Sequence, residues 1–250
     1  MAKTFYYDSG DLLNATLNDG TFSGSSFSDS DSTTNEERLN DQSIATSISD
    51  YGSGDAVKIT FSGVTALDFV AVYFTSSESD NLSLYREASA NSYSSIKDMT
   101  ATFSAGWTVG EFGSASATNW HLASTSGNVA NLTEVIVGSK LEFEINPDIG
   151  ISEQENYGVD IQTSLGGVEY ATKLHNPKST ISMSFSNISE TFKDNLQSFE
   201  AQVTNFKKFI YSEDGTTGPF HYVRLDSPIQ FAEVAFQRYS ASFTLREQLS

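Results

Sequence analysis

The sequence contains no cysteine. Disulfide frameworks, thiolate metal sites and thiol nucleophiles are therefore excluded. Cations are also scarce: 14 Lys and Arg stand against 32 Asp and Glu, for a net charge of −18. Neither half is basic, since residues 1–140 hold 17 acids and 6 bases and residues 141–250 hold 15 acids and 8 bases. Phosphate backbones are bound by positive stripes, so no direct nucleic-acid binding is expected. No apolar run reaches the roughly eighteen residues that a membrane-crossing helix needs, and no membrane partner is expected. The opening Met1-Ala2-Lys3-Thr4-Phe5 lacks the apolar core of a secretory leader, so none is expected.

What is present suits sheets. Eighteen Phe and eleven Tyr supply packing mass. Ser, Thr, Asn, Asp and Gly supply polar turns. A chain of 250 residues, 38% hydrophobic, can form one large domain or two ordinary ones.

The first half reads as short strands between Ser/Gly/Asn turns. Phe5-Tyr6-Tyr7 is an opening strand or anchor, and Ser23 to Asp31 is a loop. Order resumes at Ile44 to Ile48. Val57, Ile59 and Phe61 alternate with Lys58 and Thr60, as on a half-buried strand. Gly63 marks a turn. Leu67 to Phe74 is nearly all apolar and reads as a strand covered on both faces. Leu82 and Leu84 begin another, Met99 to Phe103 a further one, and short strands follow near Trp107 and Trp120. Leu132 to Leu141 closes the series, with a kink or turn at Gly138. Such a series predicts a β-sandwich or jelly roll, because two half-dry sheets must bury their dry faces together.

Leu67-Asp68-Phe69-Val70-Ala71-Val72-Tyr73, Leu82-Ser83-Leu84-Tyr85, Trp120 and Leu132-Thr133-Glu134-Val135-Ile136-Val137-Gly138 carry a resemblance. They resemble the galactose-binding-like sandwich found in phage minor tail proteins. The resemblance spans about residues 5–140 and implies a possible glycan partner. Trp107, Trp120 and Tyr85 are the candidate sugar-stacking residues, against the plainer reading of each as packing.

Asn146-Pro147-Asp148-Ile149-Gly150 is a turn, and the boundary between halves falls within 139–160, dividing the chain as 1–145 and 146–250. Gly158 to Leu174 forms a hairpin about Gly166-Gly167, a doublet suited to tight turns. Val159 and Ile161 share a face of one strand, Val168 and Tyr170 a face of the other, and Asn176-Pro177 ends the second. Ile181, Met183 and Phe185 alternate with serines. Phe192, Leu196, Phe199, Val203 and Phe206 then recur at helical spacing, which predicts an amphipathic helix over about 190–207. Ser189 is placed to cap it. Phe209-Ile210-Tyr211, His221 to Leu225 and a terminal run to Leu245 complete a mostly β domain with one packed helix.

These rear elements resemble the tail-tube-related domain of phage distal tail and minor tail proteins. That resemblance implies a structural virion protein located in the tail. It implies a homo-oligomer, a ring of six copies, with other tail tube or tail tip proteins as partners.

Signals for enzymatic chemistry are weak. His121, His175 and His221 form no HxH or HExxH pattern and read as structural or surface residues. Asp29 with Asp31, Asp41 with Asp50, and Asp148 with Glu153 could hold calcium in loops, but none matches an EF-hand. No catalytic residue, metal or cofactor is assigned.

Overall fold

The computed structural model describes residues 2–19, 36–45, 56–77, 81–89, 92–99, 104–126, 131–148, 152–204 and 206–248. The predicted loop at 23–31, Asp50 and residues 100–103 lie outside them, as does most of Ile44 to Ile48. The protein is mostly β, as the alternation predicts. The front half contributes β1 (Thr4–Tyr7), β2 (Thr16–Asp19), β3 (Ala56–Phe74), β4 (Asn81–Ser89), β5 (Ser92–Met99), β6 (Gly106–Ser126) and β7 (Leu132–Glu142). The rear half contributes β8 (Ser152–Thr163), β9 (Glu169–Ser189), α1 (Glu190–Val203), β10 (Phe209–Ser212), β11 (Phe220–Leu225), β12 (Gln230–Ala235) and β13 (Arg238–Glu247). All pairings are antiparallel, in the order β5-β4-β6-β3-β7-β1-β10-β11-β13-β9-β8, with β2 on β3 and β12 on β13.

Gly63 does not separate two strands: β3 runs through it from Ala56 to Phe74, and β6 likewise joins Trp107 and Trp120 in one strand. The two pair along their length, with register shifts between Thr60 and Thr65 and between Leu67 and Phe69. Bulges of this kind bend and twist a strand pair. Val57 and Ile59 from one end of β3 therefore meet Val70 and Val72 from the other in a single core, with Leu84, Trp120 and Val137. The sandwich is thus made largely by folding one long ribbon over itself.

The opposite face of β3 is also dry. Phe69 and Ala71 pack with Tyr6, Val109, Ile136, Ile210 and Tyr222. The near-continuous apolarity of Leu67 to Phe74 meets this demand: one face fills the front core and the other meets the rear half. β1 joins the halves, pairing with β7 on one side and β10 on the other. Phe5 on β1 enters the rear core, within 4.8 Å ring to ring of both Phe143 and Phe199.

Helix α1 forms where predicted. The Ser189 hydroxyl accepts from the Phe192 N–H at 3.0 Å, and Phe192, Leu196, Phe199 and Val203 are buried. Phe206 departs from the expectation. The helix ends at Val203, Thr204 takes a φ of 48°, and Phe206 is left 61% exposed. That change of backbone direction takes the chain off the helical stripe two residues before Phe206 would have joined it.

Asn176-Pro177 does not end its strand either. β9 passes through Pro177 beside a register shift opposite Asn156 and Gly158. A bulge tolerates a residue with no N–H to donate.

Candidate assembly interface

The hairpin predicted about Gly166-Gly167 is present, and it is longer than its sequence suggested. β8 pairs with β9 from Ser152–Ser182 to Thr163–Glu169. β13, the other neighbour of β9, ends its pairing at Thr180. Beyond that point the hairpin is a two-stranded arm. Its tip is closed by the Ser164 N–H donating to the Val168 carbonyl at 2.8 Å and the Gly167 N–H to the Ser164 carbonyl at 2.9 Å. Gly167 has a φ of 78°, the left-handed conformation that glycine takes without strain.

The arm is apolar and wet. Tyr157, Val159, Ile161, Leu165, Val168, Tyr170 and Leu174 are all exposed. They make up seven of the twelve exposed large apolar side chains among the described residues. In the cross-strand register Ile161 lies opposite Ala171 and Gln162 opposite Tyr170, so apolar groups appear on both faces of the ribbon. A lone two-stranded ribbon is marginal in water, and clustered exposed apolar groups mark interaction surfaces. Covering a side chain of this size is worth about 1.5–3 kcal/mol. The sequence signalled this hairpin but not its exposure. Alternation implies a dry face without saying which molecule supplies its cover.

The candidate sugar-stacking residues do not converge. Trp120 is fully buried in the front core and donates its ring N–H to the Ala117 carbonyl at 3.2 Å. Its ring has no face to offer a ligand, and the packing reading describes it. Trp107 is half-buried, edge-on to Tyr73 at 5.2 Å and tilted against Tyr222 at 5.1 Å. Tyr85 is half-buried, packed with Ala56, Ala123 and Tyr93, and pairs in register with His121. Trp107 packs against the group that holds Tyr222, and Tyr85 against Ala56 and Ala123, so the two stand in separate apolar groups.

His121 is buried, edge-on to Tyr93 at 4.9 Å, with the Glu87 carboxylate 3.8 Å away. Burial, with Lys58 adding repulsion, depresses its pKa to about 4 against the opposing pull of Glu87. His221 lies on β11 against Tyr211 and Glu213, in the other half. Among the described residues no three His, Asp or Glu gather as metal ligands. Of the proposed calcium pairs, Asp29, Asp31 and Asp50 lie outside the described residues, and Asp148 accepts a hydrogen bond from Ser186.

A polar cluster at the junction of the halves was not anticipated. Glu134 on β7 is 2% exposed, and one of its oxygens has no hydrogen-bond partner. Burial and nearby Asp41 raise its pKa, against Lys208 and the N–H groups of Ser43 and Gln42. Lys208 lies 5.4 Å from the ring centre of Tyr222 and donates to the Gln42 carbonyl. The only signal in the sequence was a carboxylate inside the apolar run Leu132 to Val137. At the far side of the same face, Glu111 accepts from Tyr6 at 2.6 Å and from Lys140 at 2.7 Å. Burial opposes ionisation of Glu111, but those two bonds outweigh it and lower its pKa.

No family model matches the chain, and no curated protein matches it. Solved structures with similarity to it include chitosan-binding module 2 of a chitosanase/glucanase from Paenibacillus sp. IK-5. That module is 14% identical at a TM-score of 0.39, over 51% of this chain and 98% of the module. A family 32 carbohydrate-binding module from Streptococcus pneumoniae EndoD is 11% identical at a TM-score of 0.39, over 50% of this chain and 96% of its own. A module from a family 31 glycoside hydrolase of Clostridium perfringens is 7% identical at a TM-score of 0.41, over 52% and 98%. The tail-tube resemblance of the rear half draws no support from these three.

Proposed function

We propose that this protein is a structural component that assembles in copies through its rear half, as part of a viral tail, and displays its front sandwich outward. The observation that carries the assembly reading is the arm of β8 and β9, with seven large apolar side chains in water. The tail is the setting that the resemblance of the rear half implies. The net charge of −18 opposes indiscriminate sticking of the exposed arm, so a specific contact has to outweigh repulsion between copies.

The test is the oligomeric state of the purified chain by light scattering across a wide concentration range. A defined oligomer is expected. Replacing residues 157–174 by a short Gly-Ser turn is expected to leave a monomer with an unchanged unfolding midpoint. A wild-type chain that stays monomeric at every concentration would overturn the reading.

A second reading, a glycan-binding front half, is favoured by Tyr85, an aromatic residue of β4 that is half-buried and not sealed in the core. Aromatic faces cover the apolar faces of sugars. Saturable binding on a glycan array, lost in Tyr85→Ala, is the expected result, and an array with no saturable signal removes this reading.

A further inference from the structure

We propose that Glu134 is a pH-sensitive clasp: while neutral it holds the segment 36–45 shut over the junction of the halves, and its ionisation lets the segment lift. The groups of the junction carry this, whatever the oligomeric state.

The segment forms a 3-10 helix (Glu36–Asn40) and a bend, and belongs to no strand. It can lift without breaking a ladder hydrogen bond. Leu39 is buried in the front core, and Ile44 packs against the group that holds Tyr6, Phe69 and Tyr222. Between them, Gln42 and Ser43 give their backbone N–H groups to Glu134. Lys208 donates its N–H to the Gln42 side chain at 3.2 Å and its ammonium to the Gln42 carbonyl. Gln42 takes a φ of 59°, a left-handed conformation that a residue with a Cβ resists. The tie is therefore polar, local and strained.

The cavity that Glu134 lines with Asn40, Lys208 and Tyr222 has about 20 Å³ of free space, room for one water molecule. An ionised carboxylate there loses most of its hydration, which is costly. Titratable groups face it from each neighbouring element: Asp41 on the segment, Lys208 past α1 and Tyr222 on β11. Tyr73 on β3 pairs with it in register, and Lys178 on β9 repels Lys208. In the same cavity, Asp8 accepts from the N–H groups of Gly10 and Leu12 and lies 3.7 Å from Lys207.

Burial first, and Asp41 second, keep the proton on Glu134 against Lys208 and the two N–H groups. Once the segment lifts, water reaches the carboxyl and returns it to the ordinary carboxylate range. Opening thus releases a proton, and it is favoured as pH rises through the range where closed Glu134 ionises. Burial raises Asp8 in the same sense and lowers Lys208 from its usual alkaline range, so the test has to isolate Glu134.

Hydrogen exchange of the full chain, read by mass spectrometry from about pH 5 to about pH 8, measures the opening. Glu134→Gln keeps the shape of the side chain and cannot ionise. At each pH the two chains share intrinsic exchange rates, so their ratio over 36–45 reports opening alone. Relative to E134Q, the wild type is expected to open at least about tenfold more at the upper pH than at the lower, with β3 and β7 unchanged. Asp8→Asn is expected to keep that rise. Asp41→Asn, which retains the oxygen that accepts the Ser43 N–H, is expected to reduce it, and it serves as the test if E134Q does not fold. A flat ratio, a rise that Asp8→Asn abolishes or Asp41→Asn leaves intact, or β3 and β7 opening together with the segment would overturn the clasp.

Discussion

Trp107 and Tyr222 stand ring to ring at 5.1 Å, although four strands separate theirs in the hydrogen-bonded order. A flat sheet would hold them about 24 Å apart, at 4.8 Å per strand. The sheet from β6 to β11 therefore curls until its edges approach. The concave face so formed encloses Tyr6, Phe69, Ile136 and Ile210. Glu134 and Glu111, both on strands of this sheet, supply its polar groups. The halves are thus not two beads on a string. A single curved sheet, stitched by β1, carries the front core on one stretch and the helix-backed core on the next.

The contact makes the two rings energetically dependent on each other. Trp107→Ala and Tyr222→Ala are each expected to cost about 3–5 kcal/mol. A double-mutant cycle should return a coupling of about 0.5–1.5 kcal/mol for the aromatic pair. Tyr222→Phe should be neutral or stabilising, because the buried hydroxyl has no protein hydrogen-bond partner. Urea unfolding measures all four. Additive single variants would show that the rings do not share a contact.

The stripe of α1 divides at its end. Phe199 is fully buried and stacks on Phe5 at 4.8 Å, whereas Phe206 is 61% exposed beyond the helix. Phe199→Ala is expected to cost about 3–5 kcal/mol, and Phe206→Ala less than about 0.5 kcal/mol. Equal losses in thermal unfolding would place Phe206 back on the buried face.

Much of this was legible in the residues. Ile181, Met183 and Phe185 alternate, and Phe192, Leu196 and Phe199 recur at helical spacing, because one core dries both sets. Leu67 to Phe74 announced two covered faces. Other features depend on partners distant in the chain. Gly63 looks like a turn between strands until β6 is seen pairing on both sides of it, at Thr60 and again at Thr65. Trp120 looks available to a sugar until the two ends of β3 close around it. Phe206 fits the stripe by spacing, and only the backbone at Thr204 removes it. The arm exposes the limit of pattern reading most clearly, since alternation records that a face is to be covered and not by which molecule.

His121 predicts a pH dependence. Its pKa falls from 6.5 unfolded to about 4 folded. Between those values the unfolded chain holds the extra proton, so stability is full above about pH 6.5 and declines as pH falls toward 4. The shift corresponds to about 3 kcal/mol. The difference in unfolding free energy between wild type and His121→Gln, taken at pH 7 and pH 4, should change by that order, with wild type losing more. Parallel pH profiles would show that His121 titrates alike in both states.

Gly138 offers the sharpest local prediction. A Cβ built there would lie 2.0 Å from the Tyr7 carbonyl oxygen and 2.8 Å from the Ser9 amide nitrogen. Both obstacles are backbone, so no side-chain rotation relieves them. Tyr7 pairs with Ser139, and the clash falls where β1 leaves β7. Either β1 peels away or β7 is displaced. Because β1 also pairs with β10 and sends Phe5 into the rear core, damage at this point reaches both halves. Gly138→Ala is therefore expected to cost more than about 3 kcal/mol, the range of severe core overpacking. Gly113→Ala is the matched control, since a Cβ there meets nothing within 4 Å, and removing a flexible residue from a strand should leave stability unchanged or slightly raised. Hydrogen exchange should show β1 and β10 opening together in Gly138→Ala. Equal stability of the two variants would mean that β1 is not seated against β7 as described, and the continuous sheet would fall with it.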